Sequence, residues 1–426
     1  MRVAVLGCGW SGVMVALRIK NLLPAAEVVC IDRDFKGGLL RSEMIDGYLF
    51  DVGGSHVVFS RDPSVIKGIV SMGGRWASKD RGAFVFLDGI FVPYPFENGI
   101  YILPPEKRAR YGISLIRAYM QGAKSPRSFK EWILNSFGDE VAHDYLLPYN
   151  EKIWKRPLEE MSADWVYIPG RLPIPSLEDI VKAIAGLETK GYVENSVFHY
   201  PDGGIVTQYL SALSKAREIG ISLVMEEVSN VRKTSDGFVI NSRLRADHVV
   251  STLPLRELPY MLDPLPPEEV LKSANRLDYN SVAVVGVGVR KRALPQHWVY
   301  VPDKRIIFHR YAWISNYLPD PPPDRASLIT EVTIPPGSKL DPEKIIADTL
   351  RGLEELGVVK EGEVDVVKIW FHKYGYPLYT KTHEQDRRMV EEYLKELKII
   401  TFGRWGNWHY WNTDVIYKKA SEKQML

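Results

Sequence analysis

Three glycines near the start of the chain, Gly7, Gly9 and Gly12, have the spacing of a turn that binds a pyrophosphate. They stand between an apolar run at residues 3–6 and a run at residues 13–19 with helical periodicity, which predicts a strand, a tight turn and a helix. A helix that begins at such a turn presents free N–H groups and a partial positive charge to phosphate oxygens. The chemistry predicted for this segment is therefore the binding of a dinucleotide.

A carboxylate follows at the distance that ribose recognition requires. The second predicted strand, residues 27–31, is followed directly by Asp32, which stands about 20 residues after Gly12. An acidic residue at this position binds ribose hydroxyls and favours a cofactor without a 2′-phosphate, which indicates FAD or NAD rather than NADP.

Two further glycine pairs follow, and each is accompanied by a residue that could contact a cofactor. Gly38 ends the first pair and precedes Arg41, while Gly54 ends the second pair and precedes His56 by two positions. Glycine pairs let the backbone pass close to a flat or anionic ligand, and an arginine can bind a pyrophosphate through two parallel hydrogen bonds. A nicotinamide dehydrogenase has no need of these clusters, so they favour a flavin. Simple glycine turns between strands are the alternative.

Composition and charge exclude several classes of protein. The chain has 426 residues, 45% hydrophobic and 25% charged, which is typical of a soluble globular protein with two or three domains. A net charge of +2 gives no argument for a nucleic acid or an acidic membrane as partner. No apolar run reaches the ~18 residues of a membrane span, and the chain begins directly in a predicted strand, so we expect a cytoplasmic protein. Histidine and cysteine spacings predict no metal site.

The order of predicted elements indicates an α/β fold. We expect a discontinuous Rossmann-type FAD-binding domain from residues 1–60, 200–260 and 395–426, a mainly helical domain at 61–199, and an antiparallel β-sheet substrate domain at 261–394. Helices are predicted at residues 107–121, 129–136, 140–147, 177–187, 204–219, 342–356 and 385–396. Strands are predicted as a pair at 83–92 and at 222–225, 237–241, 248–251, 282–289, 364–371 and 399–402.

The glycine clusters resemble those of the superfamily that contains amine oxidases, protoporphyrinogen oxidases and UDP-galactopyranose mutases. Downstream segments resemble the UDP-galactopyranose mutase family in particular, and its eukaryotic type. Residues 148–154, Pro-Tyr-Asn-Glu-Lys-Ile-Trp, are similar to the family's P-Y-N-x-K-x-W, and Arg171 follows where the family has an arginine. The resemblance implies that Asn150 and Trp154 contact a nucleotide sugar and that Arg171 contacts its diphosphate.

A second segment, residues 195–204, resembles a family stretch in which the first asparagine contacts substrate, which implies that role for Asn195; a hairpin turn is the alternative. A third segment begins at residue 297 and is similar to H-W-x-Y-x-P…F-Y-R…S-N-Y. It places Tyr300, Arg310 and Tyr317 at the family's diphosphate-binding positions, with His309 where the family has a tyrosine.

A fourth segment, residues 403–410, resembles the end of the mutase sequence. It implies that Arg404 lies near FAD and that Tyr410 contacts the diphosphate, while Tyr376 is a weaker match to a tyrosine of the same pocket. Against the family's D-V-G-G-H, this chain carries Ser55 as an insertion before His56, the residue expected beside the flavin.

The resemblance implies an FAD-dependent isomerase that interconverts UDP-galactopyranose and UDP-galactofuranose. In that family N5 of the reduced flavin bonds to the anomeric carbon as UDP leaves, and the sugar ring opens and recloses. Charge on the departing diphosphate would be stabilised by Arg171, Arg310, Tyr317 and Tyr410, and His56 would tune the flavin. An external reductant, with NAD(P)H as a candidate, and association into a homo-oligomer are also implied.

Two other functions remain open at this point. An FAD-dependent oxidoreductase of the amine oxidase or protoporphyrinogen oxidase type shares the glycine clusters but does not require the arginine and tyrosine set. A non-enzymatic FAD-binding protein is the third hypothesis. Taken singly, Arg171 or Arg310 is more typical of a surface ion pair.

Overall fold

The computed structural model describes residues 1–122, 125–167, 172, 174–189 and 196–422. Its helices are α1 (Trp10–Leu22), α2 (Pro63–Val70), α3 (Phe96–Gly99), α4 (Pro105–Gln121), α5 (Phe129–Val141), α6 (Leu147–Trp154), α7 (Leu177–Ile184), α8 (Val206–Glu218), α9 (Glu268–Arg276), α10 (Pro342–Glu355), α11 (His383–Glu396), α12 (Gly403–Gly406) and α13 (Thr413–Glu422). The first ten strands are β1 (Arg2–Leu6), β2 (Glu27–Asp32), β3 (Ser42–Ile45), β4 (Tyr48–Asp51), β5 (Trp76–Asp80), β6 (Ala83–Leu87), β7 (Ile90–Pro93), β8 (Val197–Pro201), β9 (Ser222–Met225) and β10 (Val231–Thr234). The others are β11 (Gly237–Ile240), β12 (Leu244–Ala246), β13 (His248–Ser251), β14 (Leu262–Asp263), β15 (Tyr279–Val289), β16 (Trp298–Tyr300), β17 (Arg310–Trp313), β18 (Ala326–Ile334), β19 (Val364–Pro377) and β20 (Ile399–Thr401).

A parallel sheet with the strand order β20-β13-β1-β2-β9 forms one half of the molecule. Its central strand β1 pairs with both β2 and β13, and four of its five residues are buried. Val3 and Val5 pack in one apolar cluster with residues of α1, while Ala4 and Leu6 pack in a second cluster with residues of β10 and β11. The strands come from three separated segments of the chain. The predicted α/β fold with a Rossmann-type sheet is confirmed.

A second sheet has the order β19-β15-β18-β17-β16-β6-β7 and is antiparallel except between β16 and β6. Strands β6 and β7 come from the segment 61–199, which the sequence assigns to a mainly helical domain, so this part of the segment belongs to the sheet instead. Across the sheet, Tyr300 pairs with Arg310, and Arg310 pairs with Glu331. These three residues therefore form a row across three strands.

The region between β7 and β8 is helical, but its helix boundaries differ from the predicted ones. The predicted break between helices at 129–136 and 140–147 is present, because the backbone of α5 is non-helical at Gly138. Beyond this kink the chain continues through a π-helical turn at Ala142–Leu146 into α6, so the second helical stretch extends beyond residue 147. Gly138 has φ +72°, and a Cβ there would lie 2.4 Å from Ser114 Oγ. Close packing of α5 against α4 at this glycine accounts for the kink.

Strand β19 is longer than the predicted strand at 364–371, because it continues beside β15 past an irregularity at Asn280 and Val282. The continuation carries Tyr376 into the interior, where it pairs with Asn280. Within the described ranges, no helix is both long and apolar enough to cross a membrane.

Candidate functional site

A cavity of about 820 Å³ lies between the two large sheets. Gly7, Asp32 and Thr252, which stand at the carboxyl ends of the parallel strands β1, β2 and β13, line it. Ligands of open α/β sheets bind at this edge. The predicted site residues that line the cavity are Gly7, Gly9, Asp32, Gly38, Arg41, Gly54, His56, Asn150, Tyr300, Arg310, Tyr376, Arg404 and Tyr410.

Two glycines of the turn differ in their surroundings: Gly12 is closely packed, and Gly9 leaves space for a ligand. A Cβ on Gly12 would lie 2.1 Å from the Gly7 carbonyl oxygen, so this glycine permits close contact between helix and turn and does not line the cavity. A Cβ on Gly9 would meet nothing within 4 Å. No side chain caps the start of α1, whose first residues Trp10 and Ser11 line the cavity. Their N–H groups form an anion site.

Asp32 is held in place by the turn itself. Its Oδ2 accepts a hydrogen bond from the Cys8 N–H at 2.5 Å, and its Oδ1 accepts one from the Asp34 N–H at 3.2 Å. Burial raises the pKa of this carboxyl, and the two backbone donors partly offset the effect. The carboxylate is thus fixed at the cavity edge, where ribose recognition would require it.

The two glycine pairs both approach the cavity with left-handed backbone. Gly38 has φ +61° and faces open space, while Gly54 has φ +104° and would place a Cβ 3.3 Å from Oε1 of Glu331. Arg41, after the first pair, forms an ion pair with Glu43. Both positions require glycine for conformation, and the second requires it for space as well.

His56 lies in the cavity wall as a neutral imidazole. Its Nε2 is 3.3 Å from the Gly53 carbonyl oxygen. Burial, followed by the positive charge of Arg404, lowers the pKa of His56 to about 4. The side chain therefore carries no charge near pH 7.

Glu331 is the centre of the opposite wall, and the sequence interpretation missed it. Its carboxylate forms an ion pair with Arg310, whose Nε lies 3.1 Å from Oε1. It also accepts hydrogen bonds from the Tyr376 hydroxyl at 2.7 Å and from the Ser55 N–H at 3.0 Å. Burial alone would raise the pKa of Glu331, but the Arg310 guanidinium holds it well below its usual value. A lone charge in the otherwise uncharged strand β18 was the available signal.

Tyrosines and a second arginine complete this wall. The rings of Tyr376 and Tyr410 are parallel within 2°, with centroids 5.8 Å apart. The Arg404 guanidinium lies 4.1 Å from the centroid of Tyr410, and its Nη2 donates to the Gly375 carbonyl at 2.8 Å. Tyr300 accepts a hydrogen bond from the Trp298 Nε1 at 3.1 Å.

Two predicted substrate contacts, Trp154 and Tyr317, lie behind the wall rather than in it. Trp154 donates from Nε1 to Oδ1 of Asn150 at 2.9 Å, and the Asn150 Nδ2 donates to the Leu146 carbonyl. Tyr317 is fully buried, and its hydroxyl is 2.7 Å from Ser55 Oγ. Trp154 supports the cavity-lining Asn150, and Tyr317 supports the loop that carries His56.

Three further residues singled out by the sequence are Arg171, Asn195 and His309. Arg171 and Asn195 lie outside the described residues. His309 lines the cavity, is 1% exposed, and has its Nε2 3.7 Å from a Glu331 oxygen. Burial lowers the pKa of His309 to about 4. In the part of the chain that the structure describes, no group of three or more His, Cys, Asp or Glu residues could hold a metal ion.

Comparison with known families and proteins gives matches of different reach. Residues 171–412 match the family described as flavin containing amine oxidoreductase. A 53-residue stretch, 12% of this chain, is 42% identical to an uncharacterized protein in the nifH2 3′ region of Methanothermococcus thermolithotrophicus. The chain thus spans about half the length of that curated relative.

Solved structures share the fold over almost the whole chain. A reduced UDP-galactopyranose mutase matches with a TM-score of 0.87 and 24% identity, covering 99% of this chain and 94% of the other. A putative protoporphyrinogen oxidase from Exiguobacterium sp. 255-15 matches with a TM-score of 0.75 and 16% identity, covering 99% and 97%. An oxidoreductase from Methanosarcina mazei matches with a TM-score of 0.69 and 15% identity, covering 99% and 100%. At these identities the likeness shows a common fold.

Proposed function

The chain belongs to the family of flavin-containing amine oxidoreductases, and from that premise we propose that it is an FAD-dependent mutase that interconverts UDP-galactopyranose and UDP-galactofuranose. FAD is the cofactor that this membership implies. The choice of a nucleotide-sugar substrate is supported by the solved mutase that shares the fold and by the polar wall of the cavity.

The residues of the cavity fit FAD. The uncapped start of α1 and the open space at Gly9 would receive its diphosphate, and Asp32 would bind its ribose. Arg404 has a buried Nε with no hydrogen-bond partner among the described residues, which a cofactor atom could supply. Gly38, Arg41 and Gly54 would line the cavity along the cofactor, in the direction of its flavin ring. When bound in the reduced state, FAD supplies a nucleophile for a reaction that is redox-neutral overall.

The observation that carries the proposal is the row of Arg310 and Glu331 with Tyr376 in the cavity wall. Arg310 directs Nε and Nη2 at Glu331, and no described residue accepts a hydrogen bond from its Nη1. That N–H group and the tyrosine hydroxyls are donors that suit phosphate oxygens. As the bond between sugar and diphosphate breaks, these groups would stabilise the growing negative charge. An apolar substrate would have no use for them.

The remaining predicted residues have supporting roles in this scheme. Tyr300 and Tyr410 would bind the diphosphate beside Arg310, and Asn150 would contact the nucleotide sugar. His56 would contact the flavin as a neutral group. Arg171 and Asn195 stay predictions from the sequence.

The experiment is a chromatographic assay with UDP-galactopyranose under anaerobic conditions, with dithionite-reduced and with oxidised protein. Interconversion only in the reduced sample is the expected result. Replacing Arg310 with alanine should slow turnover by about 10²–10³-fold, because a preorganised donor to the leaving group is lost. Arg305→Ala is the matched control, since that exposed arginine forms its ion pair with Asp303 on the surface.

Two outcomes would contradict the proposal. If Arg310→Ala turns over substrate within a few-fold of the unmodified protein, Arg310 does not stabilise the departing diphosphate. No conversion by yellow, reducible protein would favour an oxidoreductase of the amine oxidase or protoporphyrinogen oxidase type, which is then tested by oxygen consumption with amine substrates.

A further inference from the structure

The charges of the cavity are unevenly compensated. The diphosphate of a nucleotide sugar carries about two negative charges, because both of its phosphates are esterified. Among the cationic groups in the lining, Arg310 is already paired with Glu331, Arg41 with Glu43, and Lys373 with Glu257. An arginine whose charge is balanced by a buried carboxylate attracts an anion less than an uncompensated one. Arg33 and Lys36 also line the cavity, beside Asp32 in the stretch expected to hold the cofactor. On the side of Arg310, a described cation without a carboxylate partner would add to the attraction for the substrate, besides Arg171, which the sequence predicts for the same role.

Arg81 has the position and the charge for this role. It lines the cavity in the turn between β5 and β6, and its backbone N–H donates to the Ser196 carbonyl at 2.6 Å. Its guanidinium carbon lies 5.2 Å from the ring centroid of Tyr94, which packs on Tyr300 at 5.1 Å. In the described residues, no carboxylate forms an ion pair with the Arg81 side chain. The guanidinium is thus partly buried on an aromatic wall with its charge uncompensated.

Arg404 also forms no ion pair with a carboxylate of the described residues, but it packs on Tyr376 and Tyr410 and lies nearer to the stretch expected to hold the cofactor. It stands directly after Gly403, whose Cβ would lie 2.5 Å from the Cβ of Ser11 at the start of α1. Its charge acts on His56, the residue expected at the flavin. Arg81 has none of these neighbours and shares its wall with Tyr300, which pairs with Arg310 across the sheet.

We infer that Arg81 is a further binding group for the diphosphate of the substrate, acting from the Tyr94 and Tyr300 side while Arg310 acts from the Glu331 side. This inference rests on the proposed nucleotide-sugar function. Arg81 provides a planar set of N–H donors, and Tyr94 holds the guanidinium plane by a cation–π contact. No sequence motif singles out this residue.

The test compares the binding of UDP, UMP and uridine to oxidised, FAD-loaded protein by isothermal titration calorimetry. Arg81→Gln should weaken UDP binding by about 10–100-fold and change uridine binding less than about twofold, because only UDP carries the diphosphate. The affinity for UMP should fall by a factor between those for UDP and uridine. Arg81→Lys, which keeps the charge but not the planar donors, should restore part of the affinity.

The matched control is Arg75→Gln, which removes an exposed arginine directly before β5, the strand that leads to Arg81, where Arg75 forms ion pairs with Asp202 and Asp320. It should leave all three affinities unchanged. Flavin absorbance and the melting temperature of each variant confirm that it is folded and loaded, and Arg81→Lys serves if Arg81→Gln does not fold.

The outcomes separate this inference from the proposed function. Equal losses for UDP and uridine, or no loss, would overturn the role of Arg81 even if the unmodified protein converts UDP-galactopyranose. Phosphate-dependent loss without any conversion would support Arg81 and contradict the mutase. Absence of UDP binding to the unmodified protein would overturn both.

Discussion

The two sides of the cavity are built in different ways. The proposed cofactor side is lined largely by one continuous stretch from Gly7 to His56, which presents glycines and the uncapped start of α1 to the cavity. The substrate side is formed by side chains from β16 to β19, brought together only by the register of the sheet. The shape of the first side therefore depends on glycines and on the end of a helix. The shape of the second depends on buried side chains of opposite charge that neutralise each other.

One buried carboxyl on each side illustrates the contrast. Asp51 ends β4 on the cofactor side, and within the described ranges its carboxyl group accepts hydrogen bonds from uncharged donors alone, namely Ser42, Tyr200 and the Ile205 N–H. Burial raises its pKa to about 7. Glu331 is equally buried, but the Arg310 guanidinium keeps its pKa low. The same functional group is thus about half ionised near pH 7 on one side and fully charged on the other.

The largest expected effect comes from breaking the charged side. Glu331→Gln leaves Arg310 buried without a counter-charge and presents an amide N–H₂ to donors that need an acceptor. The free energy of unfolding of the FAD-loaded protein should fall by about 3–5 kcal/mol, as for other buried ion pairs that lose one partner. The free energy of unfolding is measured by urea denaturation, with tryptophan fluorescence as the signal.

A surface pair gives the control for this prediction. Asp324→Asn breaks the exposed ion pair with Arg325 and should cost less than about 1 kcal/mol. A loss of stability for Glu331→Gln no larger than for this control would mean that the substrate side does not depend on its central charge.

On the cofactor side, the stabilisation contributed by Asp51 should fall as the pH rises. Because the folded pKa of Asp51 lies above its unfolded value, its contribution is complete below pH 4 and is lost as the pH rises towards 7. Asp51→Asn should remove this slope, which amounts to about 2 kcal/mol between pH 5 and pH 7. The measurement is the free energy of unfolding of both proteins at several pH values. Parallel curves for the two would contradict a raised pKa.

This contrast also explains what the sequence could predict. The glycine turn and Asp32 were found because their residues are close in the chain and their spacing has one physical meaning. The two further glycine pairs then indicated the superfamily and FAD, and the order of predicted elements indicated the α/β fold; all three predictions are confirmed. Glu331 was missed because its partner Arg310 is set by strand pairing across a long connection, which no local pattern encodes. The order of Tyr300 and Arg310 gave the nearest hint, since they pair across β16 and β17.

Two glycines of the same turn should respond differently to alanine. In Gly12→Ala the new methyl group would meet the Gly7 carbonyl at 2.1 Å, so apo-protein stability should fall by about 1–3 kcal/mol. In Gly9→Ala the methyl group meets no protein atom, so the apo-protein should be unchanged, while FAD affinity should fall about tenfold or more. Thermal unfolding and FAD titration separate the two effects. Loss of apo-protein stability in Gly9→Ala would show that this glycine serves packing.

The smallest effect concerns the bond that joins the two sides, between Ser55 Oγ in the cofactor loop and the Tyr317 hydroxyl behind the substrate wall. Ser55→Ala should cost about 1–2 kcal/mol, because it leaves a buried hydroxyl unpartnered, and it keeps the Ser55 N–H bond to Glu331. Tyr317→Phe should cost a similar amount, and the double variant less than the sum. A coupling energy above about 0.5 kcal/mol would mean that the inserted serine fastens the His56 loop to the substrate wall. Additive losses would mean that the two sides are joined through Glu331 alone.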